Sequence, residues 1–172
     1  MGMFDTVHLE NDPNGWFILP DGSSALKVGD FQTKDLYCAM DKYIVRDNQL
    51  LRSQYDWETK EDSPYELWPH TGQMEIHTTN DLAEPSYFKC TLTKEDTGKY
   101  NRKHHNVGDC FKDKRRPWVS FICWVKRGVI LDVVNECETV EELIKKTCQD
   151  NDYGVKYEHI TKEEWEKLDE RW

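Results

Sequence analysis

The run Val119-Ser120-Phe121-Ile122-Cys123-Trp124-Val125 constrains this chain more than any other segment. It holds no charge and no amide, so it belongs in a protein interior. It is also far shorter than the ~18–20 apolar residues of a bilayer-spanning helix. With Trp118 in front, the run is apolar on both faces of an extended chain, which predicts a central β-strand covered on each side. Lys126-Arg127-Gly128 then turns the chain into Val129-Ile130-Leu131-Asp132-Val133-Val134, rich in the β-branched residues that fit a pleated surface.

Strands to pair with it are legible upstream. Gln73 to Thr78 alternates, with Met74, Ile76 and Thr78 on one face and Gln73, Glu75 and His77 on the other. Tyr87 to Thr93 repeats the pattern, with Phe88, Cys90 and Leu92 as the apolar set. Tyr43-Ile44-Val45 and Gln49-Leu50-Leu51 flank Asp47-Asn48 as a hairpin, and Asn11 to Gly15 and Pro20-Asp21-Gly22 read as turns. After Asn135 the period changes from two to 3.6. Thr139 and Glu142 form a capping box ahead of a stripe at Val140, Leu143, Ile144, Thr147 and Cys148, which predicts a helix of about three turns. Thr161 and Glu164 form a second box, with Ile160 and Trp165 as its hydrophobic staple. Its stripe, Trp165, Leu168 and Trp172, either packs on the sheet or faces a partner. The expected fold is therefore α+β, mostly antiparallel β-sheet with two C-terminal α-helices. It is expected as a single domain, 1–172, with a β-rich core 1–134 and a helical segment 135–172.

Charge is unevenly spread over the 172 residues, whose formal net charge is −10. Residues 1–98 hold eighteen acids and eight bases, whereas residues 99–118 hold two acids and seven bases. The candidate binding residues lie in this basic island: Arg102, Lys103, Lys112, Lys114, Arg115, Arg116 and Trp118. Basic and aromatic residues interleaved in a connection between strands grip phosphate and stack on rings, and the plainer reading is a solvated loop of mixed charge. The acidic remainder argues against nonspecific nucleic-acid binding by the whole molecule and could present phosphate-like charge to a basic surface.

Chemistry-bearing motifs are few. Glu10-x-Asp12-x-Asn14-Gly15 followed by Asp21 imitates the spacing of a calcium loop, but Pro13 and Pro20 interrupt it and no helix precedes it, so it reads as two turns. His104, His105 and Cys110 lack the close spacing of a zinc site. Asp47 with Glu58-x-Lys60 only superficially supplies a nuclease centre, and there is no nucleophile elbow or phosphate-cradling Gly-rich loop. Nothing asks for a cofactor. The six cysteines are widely spaced and read as reduced, mostly buried thiols. The opening residues lack a secretory pattern, and Gly2 with Thr6 matches the myristoylation pattern without a polybasic second signal. These features point to the cytoplasm.

Met3-Phe4-Asp5, then Phe31-Gln32-Thr33-Lys34-Asp35-Leu36, then Met40-Asp41 and the hairpin from Tyr43 resemble a group of uncharacterised small proteins of bacteriophages and prophages. The likeness extends through His70-Thr71-Gly72 over roughly the first hundred residues. It implies a phage origin, hence the cytoplasm of an infected bacterium, and brings no catalytic residues with it. Together with small size and lopsided charge, it leads to the expectation of a non-enzymatic accessory protein. Such a protein would bind and inhibit a host protein or nucleoprotein complex, for example a defence component such as CRISPR-Cas. The alternatives are a phage structural or replication-accessory protein that self-associates or docks through Trp165 and Trp172, and a small hydrolase or nuclease built on His104 and His105.

Overall fold

The computed structural model describes residues 3–53, 55–56, 60–62, 64–93, 107–149 and 154–168. In chain order its strands are β1 (Asp5–Leu9), β2 (Asp30–Thr33), β3 (Lys42–Arg46), β4 (Gln49–Ser53), β5 (Tyr55–Asp56), β6 (Glu61–Asp62), β7 (Glu66–Leu67), β8 (Gly72–Thr79), β9 (Ser86–Leu92), β10 (Cys110–Arg115), β11 (Trp118–Lys126), β12 (Val129–Asn135) and β13 (Val155–Ile160). Helices α1 (Val140–Thr147) and α2 (Lys162–Glu166) flank β13. The chain divides into two compact units that interleave in sequence: Met1–Leu82 with Trp118–Glu138, and Ala83–Pro117 with Thr139–Trp172.

Seven strands of the first unit close into a barrel in the order β12-β11-β8-β2-β1-β3-β4 and back to β12, with β7 paired onto β4. The two-residue period of each strand sends alternate side chains inward, so Val7, Phe31, Val45, Leu50, Ile76 and Phe121 share one buried cluster. The connection from β1 to β2 folds back and adds Phe17 and Leu19 to it. Phe17 and Phe31 both meet Phe121 in T-shaped geometry, at centroid distances of 5.2 and 6.2 Å.

Closure depends on two tight turns. Asp47 and Asn48 both take positive φ (51° and 63°), the geometry that matches a two-residue turn to the twist of β3 and β4. The β11–β12 turn ends on Gly128, whose carbonyl accepts from the Leu50 amide at 2.8 Å while Asn48 O accepts from Ile130 N at 2.7 Å. Gly128 has φ +80°, and a Cβ there would lie 2.4 Å from the Trp68 carbonyl oxygen, so only glycine fits.

One pair in the barrel, β1 with β3, is parallel. Strand β2 leaves β1 beside Asp5, and β3 must begin at the same end on the opposite side of β1, so residues 34–41 cross the end of that strand. Asp5, fully buried, holds the crossing. Its carboxylate accepts the backbone N–H groups of Cys38 (2.8 Å), Ala39 (3.0 Å) and Asp41 (2.9 Å). Cys38 and Met40 adopt φ of 53° and 59° to make the bend. Residues of the Phe31–Leu36 string serve this same feature. Phe31 fills the core and Thr33 is buried opposite Asp5. Thr33 Oγ1 accepts from Asp35 N at 3.3 Å, and Asp35 Oδ2 accepts from Glu75 N at 2.7 Å, extending the short β2–β8 seam.

The second unit is a three-stranded antiparallel sheet, β10-β9-β13. Cys90, Leu92, Phe111 and Val155 form the buried cluster on one face, joined by Tyr157. Thr139 Oγ1 caps α1 by accepting from Glu142 N, and Thr161 Oγ1 caps α2 by accepting from Glu164 N. Helix α1 turns Leu143 and Thr147 inward.

The α+β, mostly antiparallel expectation holds in outline, and both C-terminal helices start at their boxes. The main sheet, however, is a closed barrel with a parallel pair. Helix α1 has eight residues, shorter than three turns. The segment from 135, expected to be helical, contains β13 between its two helices. Trp118 and Trp124 are 43% and 46% exposed: on the outer face of β11 only the middle is covered, with Ser120 buried and Ile122 half-buried. Of the cysteines only Cys90 and Cys123 are buried, and burial pushes the Cys123 thiol up to about 12. No helix among the described residues is long and apolar enough to cross a membrane.

Asp5→Ala removes the buried acceptor of three backbone N–H groups, and is expected to cost about 2–4 kcal/mol in urea denaturation. Gly128→Ala should lower the thermal midpoint as well, since it adds both a backbone clash and a strained φ.

Candidate functional site

Strand periodicity separates the basic residues that sequence places together. Lys112, Lys114 and Arg115 all lie on β10, so Lys112 and Lys114 share one face and Arg115 takes the other. Arg115 sits 4.9 Å from the Tyr157 ring centroid and donates through Nε to Asp113 Oδ2 at 2.9 Å. Burial works against its charge, but the bond to Asp113 and that carboxylate's charge hold its pKa above the ordinary arginine value. Arg116 Nε donates to the Ala83 carbonyl at 3.0 Å. Trp118 belongs to the barrel unit and stacks on His77 at 5.4 Å. Arg102 and Lys103 lie outside the described residues, as do His104, His105, Glu58 and Trp172. Among the described residues of the sheet unit, Lys112 and Lys114 thus share a face that Arg115 does not, and the basic island is partly a strand rather than a loop.

Lys112 and Lys114 have company that the sequence reading missed. The register sets Lys112 directly opposite Lys89, and Lys114 opposite Tyr87. On the other side of β9, Glu158 opposes Lys89 and Ile160 opposes Tyr87. Trp165 of α2 lies against Tyr87 at 5.2 Å, with Lys112 Nζ 4.6 Å and Lys114 Nζ 5.7 Å from its ring centroid. The face thus gathers Lys89, Lys112, Lys114 and Lys156 beside two aromatic rings, with Glu158 3.6 Å from Lys156. The Trp165 indole N–H is buried without an acceptor. Lys89 was readable in the alternation of β9, on the face opposite Phe88, Cys90 and Leu92. Trp165 was visible as a staple, but which strand it would meet was not.

The barrel unit has its own polar cluster where residues 34–41 cross. Arg52 Nε and Nη2 both donate to Asp41 Oδ2, at 3.0 and 2.5 Å, while the guanidinium lies 4.4 Å from the Trp68 ring and 5.5 Å from that of Tyr37. Tyr43, opposite Arg52 in the β3–β4 ladder, is 1% exposed, and its hydroxyl has no partner. Burial first, then the charge of Asp5, push its phenol well above the ordinary tyrosine range, with Arg52 opposing. The calcium-like segment is a turn: Asp12 accepts from Trp16 N and Phe17 N, both at 2.9 Å, and Asp21 accepts from Ser23. Among the described residues no three His, Cys, Asp or Glu side chains converge as metal ligands.

Charge divides between the units more sharply than along the chain. The barrel unit holds eighteen acidic and eight basic residues, whereas the second unit holds fifteen of each, so the barrel unit accounts for the whole net charge. Of its carboxylates, Asp5 is buried and Asp41 is neutralised by Arg52, while Glu10, Asp30, Asp47, Glu66, Asp81 and Asp132 are exposed. No protein family, curated protein or solved structure was found to match the chain.

Because the Tyr43 hydroxyl forms no bond, Tyr43→Phe is expected to change unfolding free energy by less than about 1 kcal/mol in urea denaturation. A larger loss would mean that the hydroxyl is satisfied in solution.

Proposed function

We infer that this chain is a non-enzymatic phage accessory protein whose acidic barrel unit occupies a cationic, nucleic-acid-binding surface on a host protein and blocks it. The observation that carries this reading is the confinement of the net charge to the barrel unit. A compact, strongly acidic body is drawn to a basic channel built for phosphates and speeds its own association there. The phage-like residues support the same reading by their location: those of the β1–β3 crossing build the barrel itself. A nucleoprotein defence complex such as CRISPR-Cas is a target of the right chemistry, because its guide and target strands lie in positively charged channels.

The alternative role in phage assembly draws on a different observation. Trp124, Leu131 and Val134 are 46%, 58% and 40% exposed on β11 and β12, which suits docking on another phage component. The C-terminal version of that idea is weakened, since Trp165 packs against Tyr87.

Affinity purification of the tagged full chain from nuclease-treated bacterial lysate separates the two. The inhibitor reading expects one host nucleic-acid-binding protein in stoichiometric amount, released by high salt and displaced by added single-stranded DNA. Recovery of only the chain itself, or of phage proteins from an infected lysate, would overturn it.

A further inference from the structure

The sheet unit gathers lysines on one face of its strands. Lys89 and Lys112 stand directly opposite each other on neighbouring strands, and like charges in that position oppose strand pairing. Glu158 stands opposite Lys89 in the β13–β9 register, and its carboxylate lies 3.6 Å from the Lys156 ammonium. Lys112 and Lys114 are left with the π face of Trp165. On α2, Glu164 is committed to the Thr161 cap, and Glu163 and Glu166 are exposed acids on the same short helix. Among the described residues none of the three ammonium groups of Lys89, Lys112 and Lys114 has an ion-pair partner, and the buried Trp165 indole N–H has no acceptor.

We propose that the face formed by Lys89, Lys112 and Lys114 with Tyr87 and Trp165 is a phosphate-binding site. A phosphate between the facing lysines removes their repulsion and supplies several acceptor oxygens in one group. Its source is either a free phosphate or the backbone of a short single-stranded nucleic acid, for which strands β9 and β10 offer a row of charges beside aromatic rings. This site does not depend on the inhibitor reading, which rests on the barrel unit alone.

The test titrates the full-length, 15N-labelled protein at low salt with inorganic phosphate, thymidine, thymidine monophosphate and an oligothymidylate of about eight nucleotides. The readout is the Trp165 indole N–H resonance, assigned with Trp165→Phe. Phosphate-bearing probes should shift it and thymidine should not. A shift with inorganic phosphate identifies a free-phosphate site, and a shift with the oligonucleotide alone identifies a backbone site. With three phosphates neutralised, log affinity for the oligonucleotide should fall with log salt at a slope of about −2. Lys112→Glu with Lys114→Glu should weaken binding at least about tenfold and more than halve that slope. Lys112→Gln with Lys114→Gln, a milder change, should weaken it in the same direction. Lys126→Glu with Arg127→Glu, on the barrel unit, should leave the Trp165 response in place. Absence of any shift with the phosphate probes, or unchanged affinity in both lysine double variants while their thermal melts match the parent, would overturn the proposal.

Discussion

A single buried carboxylate sets the path of the chain through the barrel. Asp5 is removed from water at the start of β1, and its charge is compensated by three backbone N–H donors from the segment that crosses beneath it. Such a group is costly to bury alone and strongly anchoring when fully bonded. The bonds fix where residues 34–41 pass, and so allow β3 to start parallel to β1. Without that crossing, β2 and β3 could not lie on opposite sides of the same strand, and β4, which closes the ring against β12, would have no seat.

The Phe31–Leu36 string therefore reads physically as a structural device. Phe31, Thr33 and Asp35 each have a defined task within the barrel, as does Asp5 at the start of β1. The acidic exterior of the barrel unit and the lysine face of the sheet unit differ in sign and in construction. The first is diffuse and depends on total charge, which acts at a distance and is screened by salt. The second is local and depends on which lysines share a strand face.

Much of the local structure was legible because it is encoded by neighbours. The Asp47-Asn48 turn, the inward set Met74 and Ile76, the apolar set Phe88, Cys90 and Leu92, and the caps Thr139 and Thr161 all follow from patterns a few residues long. What was not legible depends on distant partners. The outward exposure of Trp124 follows from ring closure between β4 and β12, which no short window contains. β13 was hidden because Val155 to Ile160 alternates only weakly and lies between two strong helix signals. The basic island looked like one site because counting charge along the chain ignores strand parity, which places Lys112 and Lys114 on one side of the sheet and Arg115 on the other.

The interleaving of the two units governs the order in which the chain can fold as it is synthesised. The barrel lacks β11 and β12 until the whole of Ala83–Pro117, which belongs to the other unit, has emerged. That unit in turn waits for β13, close to the C-terminus, to cover the second edge of β9. Until β11 emerges β8 presents an open edge to solvent, and until β13 emerges β9 does the same, the kind of surface that recruits foreign strands. A chain terminated between β9 and β11 is thus left with two unfinished sheets at once, whereas one that ends after Glu138 has every strand of the barrel and lacks β13 from the other sheet.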